Sequence, residues 1–316
     1  LLIILWLEQK LWKNYKMKIG VLNGGNSEER EVSLNSGSAI ISACKELGHD
    51  VISIDPINGI DSLMNDLKNL DLVFNGLHGG DGENGVIQGL LQTIGVRFTG
   101  SSNEASAICM DKRLSKSLVK QKKILTPEWI SLDKDEEIPK NHKFNFPLIV
   151  KPNDQGSTIG LTVVNNDREL NVAIASARKF TRIVLIEDFV KGREITVTII
   201  GNKPYPIVEI IPKKGLYDYE SKYSKGLTDY FCPADIKSDL TTTIQATALA
   251  IHQLLGCRHY SRVDFILDKS LNAWFLEVNT LPGMTETSLV PKSAAGAGLS
   301  FKGLIEKIIM ESMNDG

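Results

Sequence analysis

Cysteine is scarce in this chain of 316 residues, and its four copies are scattered: Cys44, Cys109, Cys232 and Cys257 form no CxxC pair and no Cys/His spacing. That argues against a disulfide framework or a thiolate zinc site and predicts reduced, partly buried thiols in a cytosolic protein. Charge of one sign is also lacking. Lys and Arg number 36 against 38 Asp and Glu, a formal net charge of −2, so nothing marks a nucleic acid or an acidic membrane as partner. The apolar opening LLIILWL (Leu1 to Leu7) is far short of the roughly 20 residues of a spanning helix. It has no basic region before it and no small-residue cleavage site after it, which argues against a signal peptide. Met17 directly precedes a clear strand, so translation is expected to start there, with residues 1–16 an upstream extension outside the fold. A membrane-touching helix is the alternative. Repeats and low-complexity tracts are absent. So are a GxGxxG fingerprint after the first strand, a Walker A order and any Ser/His/Asp or Cys/His constellation, which disfavours a dinucleotide oxidoreductase, a P-loop enzyme and a covalent hydrolase.

What remains is ordinary globular material, 42% apolar and 23% charged, long enough for two or three domains. From Met17 the pattern alternates: strand Lys18 to Leu22, helix Ser33 to Leu47, strand Val51 to Ile54, helix Ile60 to Leu70, strand Leu72 to Phe74. Such alternation predicts a doubly wound parallel sheet, whose functional loops lie at the carboxyl ends of its strands. GGNSEER and GLHGGDGENG fall there. After Lys112 the reading becomes α+β: a basic helix Lys112 to Lys123, strands Pro147 to Lys151, Thr162 to Val164, Ile183 to Glu187 and Glu194 to Ile200, and a helix Glu169 to Lys179. Pro204 to Ala234 has weak periodicity and is expected to be a long loop. A helix Leu240 to Leu255, two strands and a terminal helix Leu299 to Met313 follow. The expected units are 17–112, 113–200 and 201–316.

The segment WFLEVNTLPGM sets an acid and an amide inside a strand. Strict alternation places Phe275, Glu277 and Asn279 on one face, with Trp274, Leu276 and Val278 on the other. RVDFILD, just upstream, is a second strand, and DKSLN between them reads as a hairpin turn. If the polar faces coincide, Asp264, Glu277 and Asn279 gather. Neighbouring carboxylates repel, and a divalent cation removes that objection, Mg²⁺ being suited to an oxygen-only set shared with nucleotide phosphates. A solvated face with Arg262 paired to an acid is the competing reading. VKPNDQGSTIG puts Lys151 at a strand end before a Gly-Ser-Thr loop, which either holds phosphates or is only a turn. Glu187, at a strand end before apolar residues, suits an adenine amino group, and Glu194 suits ribose hydroxyls. His78 lies in a glycine-rich loop. Glu28 to Glu31 also fit the acidic first turn of a helix.

Taken together, GGNSEEREVSLNSG, LHGGDGENGVIQGLLQTIGVRFTGS, MDK, VKPNDQGSTIG, YDYESKY, YFCPA, RVDFILD and LEVNTLPGMTETSLVP resemble the D-alanine–D-alanine ligases of the ATP-grasp superfamily, from about Met17 to the C-terminal helix. The resemblance implies a three-domain ATP-grasp fold, α/β and α+β, with the doubly wound sheet as its N-terminal domain. It implies cytoplasmic, ATP-dependent joining of two D-alanine molecules through a D-alanyl phosphate, for peptidoglycan, by a homodimer. ATP would lie with Lys112, Lys151 and Lys222 toward its phosphates and Glu187 and Glu194 at the adenosine. Asp264, Glu277 and Asn279 would hold two Mg²⁺ ions, with Mn²⁺ able to substitute. Glu29, the acid directly before Arg30, would take the ammonium of the first D-alanine, with His78 near its carboxylate. Arg262 and the Gly283 amide would face the oxyanion, and Ser288 the carboxylate of the second substrate. Tyr223 would link to Ser157 and Glu29 when the long loop closes, which favours a dipeptide product. A D-lactate or D-serine acceptor is the near alternative, and a non-catalytic nucleotide-binding protein on this scaffold the distant one.

Overall fold

Strand β1 (Lys18–Leu22) is apolar on both faces and buried from its second residue on, as a central parallel strand must be. It lies between β2 (Asp50–Ile54) and β3 (Leu72–Asn75), both parallel to it, so the doubly wound start of the chain is as the alternation predicts. The computed structural model describes residues 15–139, 145–213 and 226–314. The expectations placed on residues 1–14, on Lys222 and on Tyr223 lie outside the described residues. Helix Arg30–Glu46 begins three residues ahead of the predicted start, because its charged first turn is helical rather than loop. The helix predicted over Ile60 to Leu70 ends at Asp66.

A second, antiparallel sheet has the order β4-β7-β5-β6, from Trp129–Leu132, Val184–Asp188, Leu148–Pro152 and Thr162–Val164. Helix Asp167–Ala177 packs on β5 and β6, burying Leu170, Ala173, Ile174 and Ala177. The third sheet has the order β11-β10-β8-β12-β13, from Thr228–Phe231, Val208–Pro212, Gly192–Ile200, Tyr260–Asp268 and Ala273–Asn279, with the short β9 (Lys203–Pro204) on β8. Strand β8, expected in the middle region, therefore belongs with the C-terminal strands. The stretch Pro204 to Ala234, expected to be loop, instead contributes the antiparallel pair β10–β11, with Glu209 opposite Phe231.

Helices Lys112–Gln121 and Ser238–Leu254 cover one face of the third sheet. Val119, Ile244, Ala248 and Ile251 there meet Ile195, Val197, Val263, Phe265, Phe275 and Val278 in one core. Phe265 and Phe275 meet edge to face, centroids 6.3 Å apart and planes at 72°; each such ring contributes roughly 1.5–3 kcal/mol by burial.

The hairpin β12–β13 corrects the alternation expected of WFLEVN. Asp264 is opposite Glu277, but the next residue, Phe265, is opposite Phe275, so Leu276 is an inserted bulge residue. A bulge exchanges the faces on its two sides. Phe275 therefore joins Val278 in the core, and Glu277 and Asn279 share the other face with Arg262 and Asp264.

Candidate active site

The face of the third sheet opposite those two helices is ordered by its register. Thr198, Arg262 and Asn279 lie in one row across β8, β12 and β13, Thr196, Asp264 and Glu277 in the next, and Glu194, Ile266 and Trp274 in the third. Neighbouring rows are within reach of polar side chains. The Arg262 guanidinium donates to both Asp264 oxygens at 2.9 and 2.8 Å, and the Thr196 hydroxyl donates to Asp264 Oδ1 at 2.5 Å. The Asn279 carboxamide oxygen accepts from the Leu281 amide at 3.0 Å and so fixes the chain entering Pro282.

The parallel register sets the ends of β1 and β3 side by side, Leu22 opposite Asn75, which brings the loop before Glu29 against His78. Gly24 and Gly25, with φ of 73° and 78°, make the turn after β1 in a conformation that favours glycine. Asp55 anchors this turn: it accepts from the Gly25 amide at 2.9 Å and from Arg30 at 2.7 Å. Arg30 also donates to the Gly25 carbonyl at 2.6 Å. Burial would raise the Asp55 carboxyl, but Arg30 and the backbone amides hold it below the usual range. Ser27 bonds the His78 carbonyl at 2.5 Å, Ser33 accepts from the His78 amide at 2.8 Å, and His78 Nε2 lies 2.9 Å from Ser36 Oγ. His78 Nδ1 is 3.6 Å from Glu83.

From the second sheet, the loop after β5 reaches across. Ser157 donates to Glu29, whose carboxylate is 7% exposed. Ser157 and Thr158 have φ of 50° and 63°, left-handed values that cost a non-glycine residue about 1–2 kcal/mol each. Together these elements enclose a cavity of about 910 Å³, lined by Glu29, His78, Glu83, Ser157, Tyr230, Arg262, Glu277, Asn279, Gly283 and Ser288 among others.

Arg262 and Glu277 also line a second cleft, between the two antiparallel sheets. Its polar walls are Lys112, Lys151, Glu187, Asp188 and Glu194, and its apolar walls are Ile149, Ile159, Leu161, Phe189, Val190, Ile266 and Leu276. At about 160 Å³ it is smaller than a usual ligand pocket of roughly 300–1,000 Å³, with the segment from Gln155 to Leu161 on its wall. Lys112 Nζ donates to the Gln155 carbonyl at 2.7 Å and lies 3.2 Å from Glu277 Oε2. Lys151 Nζ lies 2.9 Å from Glu187 Oε2, and Lys116 Nζ 3.0 Å from Glu187 Oε1. Burial would raise the Glu187 carboxyl, but the two ammonium groups outweigh it and hold it below the usual range.

The donor set expected for a metal fits one in kind: two carboxylates and an amide oxygen on adjacent strands suit a hard cation. Among the described residues no group of three or more His, Cys, Asp and Glu side chains converges for a metal ion. Asp264 is paired with Arg262 and Glu277 with Lys112, so the carboxylates that a cation would neutralise are balanced here by side chains.

The structure thus brings Glu29, His78, Ser157, Arg262, Glu277, Asn279, Gly283 and Ser288 around one cavity. It brings Lys112, Lys151, Glu187, Glu194 and Asp264 around the adjoining cleft. Sequence reasoning missed Lys116, Thr196 and Glu83. Thr196 was open to discovery from strand alternation with Glu194. Lys116 was not, since in a basic helix a lysine reads as solvated.

An antiparallel sheet with a strand-end lysine and a Gly-Ser-Thr loop, facing a second sheet that carries acids and an arginine across a cleft, defines the ATP-grasp class of ligase. Family models described as D-ala D-ala ligase N-terminus and D-ala D-ala ligase C-terminus match residues 58–101 and 118–310. A D-alanine–D-alanine ligase of Aquifex aeolicus is 42% identical over 93% of this chain and 100% of its own length. The D-alanine–D-alanine ligase of Bacillus anthracis in complex with ATP superposes with a TM-score of 0.82 at 33% identity, covering 94% of this chain and 97% of that one. The VanG D-Ala:D-Ser ligase of Enterococcus faecalis does so with a TM-score of 0.80 at 31% identity, covering 94% and 100%. The chain belongs to the D-alanine–D-alanine ligase family.

Proposed function

We infer that this protein joins two D-alanine molecules, using ATP, to give D-alanyl-D-alanine, ADP and phosphate. The observation that carries this reading is the bond from Ser157 to Glu29. It links a phosphate-type loop to the N-terminal acid at a cavity that continues, through Arg262 and Glu277, into a lysine-rich cleft. A nucleotide-activated carboxylate and a second amino acid need that continuity. ATP enters when the loop Gln155–Leu161 lifts, and its adenine lies against Ile149, Phe189, Val190 and Leu276, with its amino group at Glu187 and its ribose at Glu194. Lys112, Lys151 and, from outside the described residues, Lys222 attract the phosphates.

Glu29 holds the ammonium of the first D-alanine and His78 its carboxylate end. A carboxylate oxygen attacks the γ-phosphorus and ADP departs, leaving D-alanyl phosphate. Ser288 holds the carboxylate of the second D-alanine, whose amine, having lost a proton, attacks the acyl carbon. Arg262 and the Gly283 amide stabilise the oxyanion until phosphate leaves. Asp264, Glu277 and Asn279 would hold two Mg²⁺ ions, or Mn²⁺ in their place, which would supply neutralisation of phosphoryl charge. Closure of the site, to which Tyr223 from outside the described residues would contribute, would keep water from the acyl phosphate. The same reading makes the protein a cytoplasmic homodimer that feeds peptidoglycan synthesis.

Phosphate release with ATP, Mg²⁺ and D-alanine alone, with the product identified by mass, tests this. A dipeptide product supports it. Release that needs added D-serine or D-lactate moves the acceptor specificity, and VanG, named for D-Ala:D-Ser, makes D-serine the first alternative acceptor.

A further inference from the structure

We propose that Lys116 is a positioning residue for nucleotide selection: it holds Glu187 as an aimed carboxylate, so that the cleft accepts a 6-amino purine and rejects a 6-oxo purine. This rests on the reading of the cleft as the ATP site.

Lys116 stands one helical turn after Lys112 on helix Lys112–Gln121, and its side chain is 0% exposed. The helix is docked at its N-terminus, where the Lys112 and Arg113 amides bond the Asn153 carbonyl and side-chain oxygen at 3.2 and 2.9 Å. Lys112 and Lys116 thus span the two antiparallel sheets, Lys112 toward Glu277 and Lys116 toward Glu187. Lys151 lines the cleft but Lys116 does not, so Lys116 acts on a ligand through Glu187. The groups around its ammonium are Glu187 on β7, Lys151 on β5, Glu128, and the Trp129 ring on β4, whose centroid is 5.0 Å away. Burial pulls the Lys116 amine down to about 8, with Glu187 opposing, so it is still an ammonium at neutral pH.

Glu187 Oε2 lies 2.9 Å from Lys151 and Oε1 3.0 Å from Lys116, the latter an ion pair without hydrogen-bond alignment, so the carboxylate keeps lone pairs for a ligand donor. An adenine amino group supplies a donor. A 6-oxo purine presents an acceptor to a carboxylate that Lys116 and Lys151 keep ionised, and two acceptors repel. Lys151 alone leaves one oxygen without its partner and the carboxyl free to rotate.

The test compares kcat/KM for ATP and for inosine triphosphate, which carries an oxo group in place of the amino group, with Mg²⁺ and D-alanine. Lys116→Met is expected to reduce the ATP preference about ten-fold, mainly through nucleotide KM, a size set by one charge-assisted hydrogen bond. The D-alanine KM stays unchanged. In a Glu187→Gln background the same change is expected to add less than about two-fold, because the two residues act as one unit. The doubly substituted protein removes both buried charges together, so it also serves if Lys116→Met alone does not fold. Equal losses for both nucleotides, or a further ten-fold loss of preference in the Glu187→Gln background, would overturn the proposal. So would a wild-type enzyme that uses both nucleotides equally, which leaves the ligase reading intact. Absence of nucleotide-dependent phosphate release in the wild type would overturn both.

Discussion

Ser157 donates its hydroxyl to Glu29 across a sequence separation of 128 residues, tying the loop beside the nucleotide cleft to the loop that opens the first helix. The acceptor is a buried carboxylate, so the bond is charge-assisted, and it is made from a loop whose backbone is left-handed at Ser157 and Thr158. Ser157→Ala removes the tether and leaves every strand intact. kcat/KM for D-alanine is expected to fall about ten-fold or more, with the thermal midpoint nearly unmoved. Steady-state kinetics beside a melting curve decide it; unchanged kinetics would mean that the tether has no part in closure.

Glu277 carries charge where the larger cavity and the smaller cleft meet, the proposed substrate and nucleotide sites, and Lys112 balances it. Glu277→Gln keeps the shape and removes the charge. The hairpin core of Phe265, Phe275 and Val278 is untouched, so the fold should persist. Turnover is expected to drop at least about a hundred-fold, the scale of losing one electrostatic contact in a transition state. Binding of Mn²⁺ alone, followed by its paramagnetic resonance, should weaken as well. Full Mn²⁺ affinity in this variant would remove Glu277 from the metal site.

How legible the site was in the sequence depends on the range of the contacts. Glu29 stands at the N-cap of the first helix, His78 lies in the loop after β3, and Arg262 and Asp264 share one face of β12; local pattern placed each on the correct element. The bulge at Leu276 could not be read, because alternation assumes a continuous ladder and only the partner strand reveals the inserted residue. Strands β10 and β11 escaped for a related reason: each is short, and their pairing depends on tertiary contact rather than on a nearby turn. Strand β8 was read as a strand of the middle region but pairs with β10 and β12, since spacing along the chain does not say which neighbour a strand pairs with.

Glu187 links stability to acidity. Its carboxyl titrates below the ordinary value of 4.5 because Lys116 and Lys151 outweigh the burial that would raise it. A depressed carboxyl stabilises the fold above the unfolded value, and that stability is lost as pH falls through the lower folded value. Glu187→Gln leaves two buried ammonium groups facing an amide, so it is expected to cost about 3–5 kcal/mol at pH 7. As pH falls from 4.5 through the lower folded value the wild-type acid becomes neutral too, and the gap should narrow. Denaturant unfolding at neutral pH and in that acidic range measures this; a gap independent of pH would show that the pair does not govern acid stability.

Gly283 tests the second-substrate end of the cavity by geometry alone. Its φ is not in the left-handed region, so alanine is tolerated by the backbone. A methyl group there would stand 3.0 Å from Ser288 Oγ but 3.5 Å from Ser288 Cβ, so the hydroxyl is the obstacle. That hydroxyl is held by the Thr285 amide at 3.2 Å and lies 2.8 Å from Thr285 Oγ1, which leaves it little room to turn away. Gly283→Ala is therefore expected to cost about 1–3 kcal/mol of stability through overpacking, and to raise the KM of the acceptor D-alanine while nucleotide KM stays constant. Adding Ser288→Ala removes the obstructing atom, so stability should return toward wild type. If Ser288 holds the incoming carboxylate as proposed, the acceptor KM should stay high, because that hydroxyl is gone. Recovery of both quantities together would assign Ser288 to packing and take it out of substrate binding.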